Sequence, residues 1–395
     1  MAEVVFFSNY LNHHQLSFCE ELARLTDNNF YFVAQKAISE KRISFGYQNI
    51  TEKYPFVVKT YKSEDELKKA YDLALEADYV LFGSSNTDYL KERLNKNQLT
   101  IKYSERLFKK KLNFIETLKG YRRVYINHTR YKNKKLYMLC SSAYAAYDFN
   151  RFGAYKNKTY KWAYFPTTKH YDIDKLIESK ESDEKIKILW AGRLIEWKHP
   201  ECCIEVARRL SKDNIDFEMN IVGNGVMEEE LKSLINKYEL NNYVHMLGSM
   251  PPDEVRKRME EANIFLFTSN MQEGWGAVLN EAMNSGCACI ASHAIGSTGF
   301  LVEHNKNGLV YRDGDIDDLY EKIKYLIDNE ESRKDIYRNA YKTITELWNA
   351  EEAARRFLIL CECLEKGKET PFETGPCSRA VSISDDKMYE YLTGK

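Results

Sequence analysis

Two carboxylates eight positions apart, Glu273 and Glu281, frame the segment Glu273-Gly274-Trp275-Gly276-Ala277-Val278-Leu279-Asn280-Glu281. A polar, glycine-flanked loop of this kind presents carboxylates and bare backbone amides to a small molecule, and amides at a helix N-terminus attract an anion. Upstream stand two cations, Arg193 and Lys198, in Gly192-Arg-Leu-Ile-Glu-Trp-Lys. An arginine fork and a lysine point charge suit phosphate oxygens, and they can stabilise the charge that builds on a departing diphosphate. Between the two clusters lies a glycine turn, Gly223-Asn224-Gly225. It lacks the third glycine and the later acid of a dinucleotide fingerprint, so by itself it says little.

Each group follows a run that reads as a buried parallel strand. The stretch 264–269 is short, apolar and aromatic, and helical periodicity over 277–285 stops at Gly286. Residues 186–192 form a strand signal ending in a glycine turn, followed by an amphipathic helix opened by Pro200. Residues 217–225 repeat the strand-to-glycine pattern, and a helix over about 227–238 leads to a strand at 244–248. In an open parallel sheet, ligands sit at the carboxyl ends of strands, where these loops fall.

A chain of 395 residues with 44% hydrophobic content can build two cores. The amino-terminal half alternates strand signals near 4–8, 30–34, 56–60, 79–83, 99–103 and 136–140 with helical ones over 15–25, 64–76 and 109–119. The expected fold class is therefore α/β, with two Rossmann-like, doubly wound parallel-sheet domains. The expected boundaries are 1–168 for the first domain, 169–184 for a charged connection, 185–346 for the second domain, and 347–395 for a terminal helix, about 350–363, plus a tail. From Pro371 on, periodicity is too weak to assign an element. No stretch approaches the ~18 continuous apolar residues of a membrane helix. The start reads as a first strand without a basic leader, and the odd count of nine cysteines shows no paired Cys-x-x-Cys spacing, so a cytoplasmic protein is expected.

The Glu, seven residues, Glu spacing and the Gly-Arg-Leu...Lys element, in this order, resemble the retaining glycosyltransferases of family 4, of the bacterial surface-polysaccharide type. That family has the GT-B fold, two Rossmann-like domains facing each other across a cleft. The resemblance covers 186 to about 328 through specific motifs and the first domain only by general pattern. It implies that Arg193 and Lys198 neutralise the donor diphosphate and that Glu273 contacts hydroxyls of the donor sugar. It places Gly274, Trp275, Gly276, Ala277 and Val278 near sugar and diphosphate, and Glu281 on the nucleotide ribose. Gly192, Gly223, Asn224 and Gly225 would lie close to the donor, and Leu247 would meet the base through its backbone. The implied catalytic set is Arg193, Lys198 and Glu273. The implied reaction moves a hexose-type sugar from a nucleotide-diphosphate sugar to an acceptor hydroxyl with retention, by a front-face mechanism. A UDP-sugar is favoured over a GDP-sugar as co-substrate, with no cofactor and no metal. Asp313-Gly314-Asp315 and Tyr171-Asp172-Ile173-Asp174 fit turn and N-cap chemistry better than metal ligation.

On the acceptor side the chain departs from the family, because the loop after the first strand, Asn9 to Gln15, has no glycine and a later strand runs into Ser104-Glu105-Arg106. Asn12, His13 and Glu105 are the candidates there, although His13 and His14 could equally cap the next helix.

Net charge is −1 overall, yet residues 101–170 hold seventeen Lys plus Arg against three Asp plus Glu, a local +14. Lys109, Lys110, Lys111, Arg122 and Arg123, interleaved with Tyr121 and Tyr125, suit an anionic interface. A membrane surface is preferred to nucleic acid, because the donor motifs imply sugar transfer and many relatives act on glycan or lipid-linked acceptors. The expected place is peripheral, on the inner face of the plasma membrane. The same motifs would also serve a GT-B nucleotide-sugar epimerase or a catalytically silent partner subunit, and the intact Arg193, Lys198, Glu273 and Glu281 argue against silence.

Overall fold

The computed structural model describes residues 2–40, 49–83, 87–110, 114–183 and 185–395. The chain divides into two compact units, one of Met1–Thr167 with Leu347–Ile383 and one of Thr168–Glu346 with Ser384–Lys395.

The first unit is built on β1 (Val4–Ser8), β2 (Phe30–Ala34), β3 (Val57–Lys59), β4 (Tyr79–Phe82), β5 (Thr100–Ser104), β6 (Leu136–Cys140) and β7 (Thr159–Lys161). They form a 7-stranded sheet in the order β3-β2-β1-β4-β5-β6-β7. The second unit holds β8 (Ile186–Ala191), β9 (Phe217–Val222), β10 (Val244–Gly248), β11 (Ile264–Phe267), β12 (Ala288–Ser292) and β13 (Leu309–Tyr311), in the order β10-β9-β8-β11-β12-β13. Every strand pair described in both sheets is parallel. Central strands such as β1, β11 and β12 are buried along their whole length, which is why they read as unbroken apolar runs.

Both sheets reverse direction of winding once. The chain lays down β1, β2 and β3 outward and returns with β4 beside β1, and it repeats this with β8, β9, β10 and then β11 beside β8. Such a reversal opens a crevice between the carboxyl ends of the two central strands. In the second unit that crevice lies between the segments following β8 and β11.

Three segments differ from the sequence reading. Residues 169–184, expected as a connection, carry the helix Ile173–Lys180 and belong to the second unit. Two of its charges are spent inside the fold: the buried Lys180 Nζ donates to the carbonyls of Met259 and Ala262 at 2.7 and 2.6 Å, and Glu181 pairs with Arg333 at 2.5 Å. The helix expected over 109–119 lies later, at Phe114–Asn127, where Val124 is buried. Beyond the helix Ala350–Glu365, which belongs to the first unit, the tail is ordered in two pieces. Around 377–380 it bonds to β7, with Cys377 N–H donating to Lys161 O at 2.9 Å and Ala380 N–H to Thr159 O at 3.1 Å. The helix Asp385–Thr393 belongs to the second unit, where Tyr389 OH donates to Asp318 Oδ2 at 2.8 Å and the Arg312 guanidinium stacks over the Tyr389 ring.

All nine cysteines are free thiols. Among the described residues no helix is long and apolar enough to cross a membrane.

Candidate functional site

The segment after β8 runs through Gly192 and the exposed Arg193 to a short 3-10 turn, Glu196–Lys198. The Gly223-Asn224-Gly225 turn after β9 supports it, with Leu194 N–H donating to Asn224 O at 2.8 Å and Gly192 N–H to Val222 O at 3.0 Å. A Cβ on Gly223, at φ 138°, would stand 1.8 Å from the Gly192 carbonyl oxygen, so only glycine allows the two turns to meet. Gly223 N–H also donates to Gly248 O at 2.7 Å. The pairing of β10 with β9 shifts register between Met246 and Gly248, and Leu247 is the extra residue at that strand end.

The segment after β11 carries the first carboxylate. Lys198 Nζ lies 2.6 Å from Glu273 Oε2, and both side chains are largely shielded from solvent. This ion pair joins the two sides of the crevice. Ser269 Oγ donates to the same Glu273 oxygen at 3.2 Å. Thr268 Oγ1 receives Trp190 Nε1–H at 2.9 Å and donates to Lys198 O at 2.7 Å, fixing the lysine's backbone against β11. Arg193 rests against Trp197, its guanidinium 5.8 Å from the ring centroid, and no carboxylate pairs with it among the described residues. The result is one cation already balanced and one open to an anion.

Gly276, at φ 84°, turns the chain so closely past Phe267 that a Cβ there would stand 2.3 Å from that ring. Between the two glycines Trp275 points inward, 1% exposed, with Nε1–H donating to Asn280 Oδ1 at 2.9 Å. Trp275 thus anchors the segment, while the N–H groups of Gly276 and Ala277 meet no acceptor among the described residues. The following helix, expected over 277–285, spans only Val278–Asn284. Seven residues carry little macrodipole, so what this segment could offer an anion rests more on these amides than on the helix. Glu281 sits in its first turn, and no described side chain donates to its carboxylate. Burial pushes this carboxyl above its usual range, against the pull of Arg256 and Lys169.

In the first unit the candidates are occupied. Asn12 is the N-cap of the helix His13–Leu25, its Oδ1 accepting from His14 N at 3.0 Å. His13 lies in the first turn, and its ring lies 3.8 Å from that of His14. Burial lowers the basicity of His13, and burial together with His13 lowers His14 to about 3. Glu105 accepts from Tyr164 OH at 2.7 Å and pairs with Lys109 at 2.5 Å. His245 lies within β10, and Asp315 caps the helix Ile316–Asp328 by accepting from Asp318 N at 3.0 Å.

The +14 stretch is not one surface. Lys102 and Arg106 are buried, Lys169 belongs to the second unit and pairs with Glu260, and Lys111 lies outside the described residues. One group lies on the helix Phe114–Asn127, where Leu118, Tyr121, Tyr125 and Ile126 are exposed beside Lys119, Arg122 and Arg123.

Sequence reasoning passed over Thr268, Ser269, Asn270 and His199. Their signal was faint: small polar residues at the end of an apolar strand, and one histidine beside a lysine.

The two sheets, each reversing once, define the GT-B architecture. The solved structure of Anabaena HepE in complex with UDP shares it, with a TM-score of 0.66 and 16% identity over 92% of this chain and 100% of that one. Residues 172–343, within the second unit, match the family model described as "Glycosyl transferases group 1". Among curated proteins, the amylovoran biosynthesis glycosyltransferase AmsK of Erwinia amylovora is 30% identical over 188 residues, 46% of this chain and 45% of AmsK. The N-acetylgalactosamine-N,N'-diacetylbacillosaminyl-diphospho-undecaprenol 4-alpha-N-acetylgalactosaminyltransferase of Campylobacter jejuni is 26% identical over 187 residues, 47% of this chain and 49% of the relative. The chain spans about half the length of the curated relatives it matches.

Proposed function

We propose that this chain is a glycosyltransferase of surface-polysaccharide assembly, transferring a hexose-type sugar from a UDP-sugar to an acceptor hydroxyl with retention. The observation that carries this reading is the Lys198–Glu273 pair across the β8/β11 crevice, flanked by Arg193, which pairs with no carboxylate among the described residues. With a donor bound, Arg193 and Lys198 face the diphosphate, Glu273 accepts hydrogen bonds from sugar hydroxyls, and Glu281 accepts from the ribose. The glycosidic C1–O bond to the diphosphate breaks as the acceptor oxygen bonds to C1 on the same face, and the acceptor proton passes to a leaving phosphate oxygen. The two cations stabilise the negative charge that grows there. UDP is favoured as the nucleotide because HepE is described with it. The name of the Campylobacter relative supports a lipid-linked acceptor.

Thermal-shift titration with UDP-, GDP- and ADP-sugars tests the donor. A UDP-sugar at 100 times its dissociation constant should stabilise by about 2.7 kcal/mol. No stabilisation by any nucleotide sugar contradicts the reading. UDP release that requires an added acceptor separates transfer from epimerisation, which needs none.

The helix Phe114–Asn127 supports a cytoplasmic, peripheral association with an anionic membrane. Its exposed Leu118, Tyr125 and Ile126 adjoin Lys119, Arg122 and Arg123. Cations at such a surface contribute about 1 kcal/mol each when close. Vesicle co-sedimentation should depend on anionic lipid and fall with salt, and it should be lost when Lys119, Arg122 and Arg123 are changed to Glu. Sedimentation indifferent to lipid charge points instead to a soluble acceptor.

A further inference from the structure

His199 occupies the left-handed region, at φ 50° and ψ 50°. That conformation is unfavourable for a residue bearing a Cβ, so something must hold it. Its ring does so from both sides: Nδ1 lies 2.7 Å from Glu201 Oε1, and Nε2 lies 3.1 Å from Asn270 Nδ2. The Asn270 amide cannot be reversed, because its Oδ1 accepts the backbone N–H of Gln272 at 3.0 Å, and a backbone N–H can only donate. Its NH2 group therefore faces the histidine, Nε2 must be the acceptor, and the ring proton resides on Nδ1, donated to Glu201.

Asn270 is also the hinge of the Glu273 segment. Its carbonyl receives Glu273 N–H at 3.0 Å, and its own N–H donates to Trp197 O at 3.0 Å. We infer that His199 is a positioning residue for Glu273, acting as a neutral Nδ1–H imidazole, and that protonating it sets N–H against NH2 and loosens the Glu273 segment. The inference rests on the reading of Glu273 as a sugar contact.

The surroundings place that protonation within reach. Glu201 faces the ring from the helix Glu201–Lys212, Asp313 from the segment after β13, and Asn270 from the segment after β11, while the neighbouring Lys198 is directed to Glu273. The hydrogen bond that His199 donates to Glu201 raises the basicity of the ring above the ordinary histidine value, with Asp313 adding to it and burial opposing. The other oxygen of Glu201 is buried without a hydrogen-bond partner among the described residues, so this carboxylate depends on the imidazole. Charged His199 accumulates as pH falls, and the loss of positioning lies on the acidic side.

Long-range 1H–15N spectra of the wild-type imidazoles test the tautomer without reference to activity. A neutral His199 carrying its proton on Nδ1 is expected, and an Nε2–H tautomer overturns the inference. The second test is the pH profile of acceptor-dependent UDP release. Wild type should lose turnover on an acidic limb, His199→Gln should lack that limb, and Glu201→Gln should move it to lower pH. An unchanged limb in His199→Gln, with turnover present, overturns the positioning role. Absence of turnover in wild type with every UDP-sugar overturns the donor reading instead, and the spectra then decide the tautomer alone.

Discussion

The second unit ends its two central strands, β8 and β11, in segments whose polar groups are only partly used: Arg193 has no acidic partner, Glu281 has no donor, and two amides point at nothing among the described residues. The first unit is wound the same way, yet its candidates are consumed internally. Asn12 caps a helix, Gln15 Nε2–H donates to Tyr103 OH at 2.7 Å, and Glu105 holds Tyr164 and Lys109. Glu105 also follows β5, one strand away from the β1/β4 reversal where a crevice opens. Buried polar groups in a folded chain are almost always satisfied, and the under-used groups beside the β8/β11 crevice are ones that a bound donor would complete. On the proposed reading the donor chemistry lies in the second unit, and the acceptor candidates Asn12 and Glu105 already hold partners inside the first.

The contrast predicts a graded set of losses. Arg193→Ala and Lys198→Ala should each cost about a hundredfold or more in turnover, roughly 2.7–4 kcal/mol by analogy with oxyanion donors. Steady-state UDP release measures it, and wild-type rates in both folded variants would break the assignment.

Next come the two carboxylates, which should separate. Glu273→Gln should impair transfer while sparing affinity for bare UDP, whereas Glu281→Gln should weaken both. Because burial raises the Glu281 carboxyl, its charged form opposes folding, and that opposition is complete once pH exceeds the folded-state value. Removing the charge should therefore stabilise the ligand-free protein at neutral pH even as nucleotide binding falls. Denaturant titration of Glu281→Gln without nucleotide measures the sign. A loss of stability there would mean that the carboxylate has a structural partner.

The smallest effects belong to the first unit. Asn12→Ala should cost about 1 kcal/mol, within the 0.5–2 kcal/mol range for a lost N-cap, and leave UDP affinity unchanged. A drop in UDP affinity in that variant would erase the contrast.

How much of this was legible beforehand varies with the range of the determining contacts. Strands β1, β2 and β6 matched their expected bounds because an apolar run buried on both faces is a local signal. Strand β7 was missed: it is only Thr-Tyr-Lys, and the tail around 377–380 that bonds to it lies more than two hundred residues away. The helix Asp385–Thr393 is held by Asp318 and Arg312, partners its own sequence cannot reveal. At the site, Arg193, Lys198, Glu273 and Glu281 were readable because their spacing sits within short strand-to-helix segments. Asn270 and His199 were not, since their pairing exists only once β8 and β11 lie side by side.

The central claim is that the second unit binds a nucleoside diphosphate through cations after β8. Isothermal calorimetry of UDP with wild type and with Arg193→Ala tests it most directly. The account predicts saturable binding by wild type and an affinity lower by about tenfold or more in the variant, the 1.4 kcal/mol or greater expected for a lost charge-assisted contact. Equal affinity in a folded Arg193→Ala protein, or no UDP binding by wild type, would contradict it.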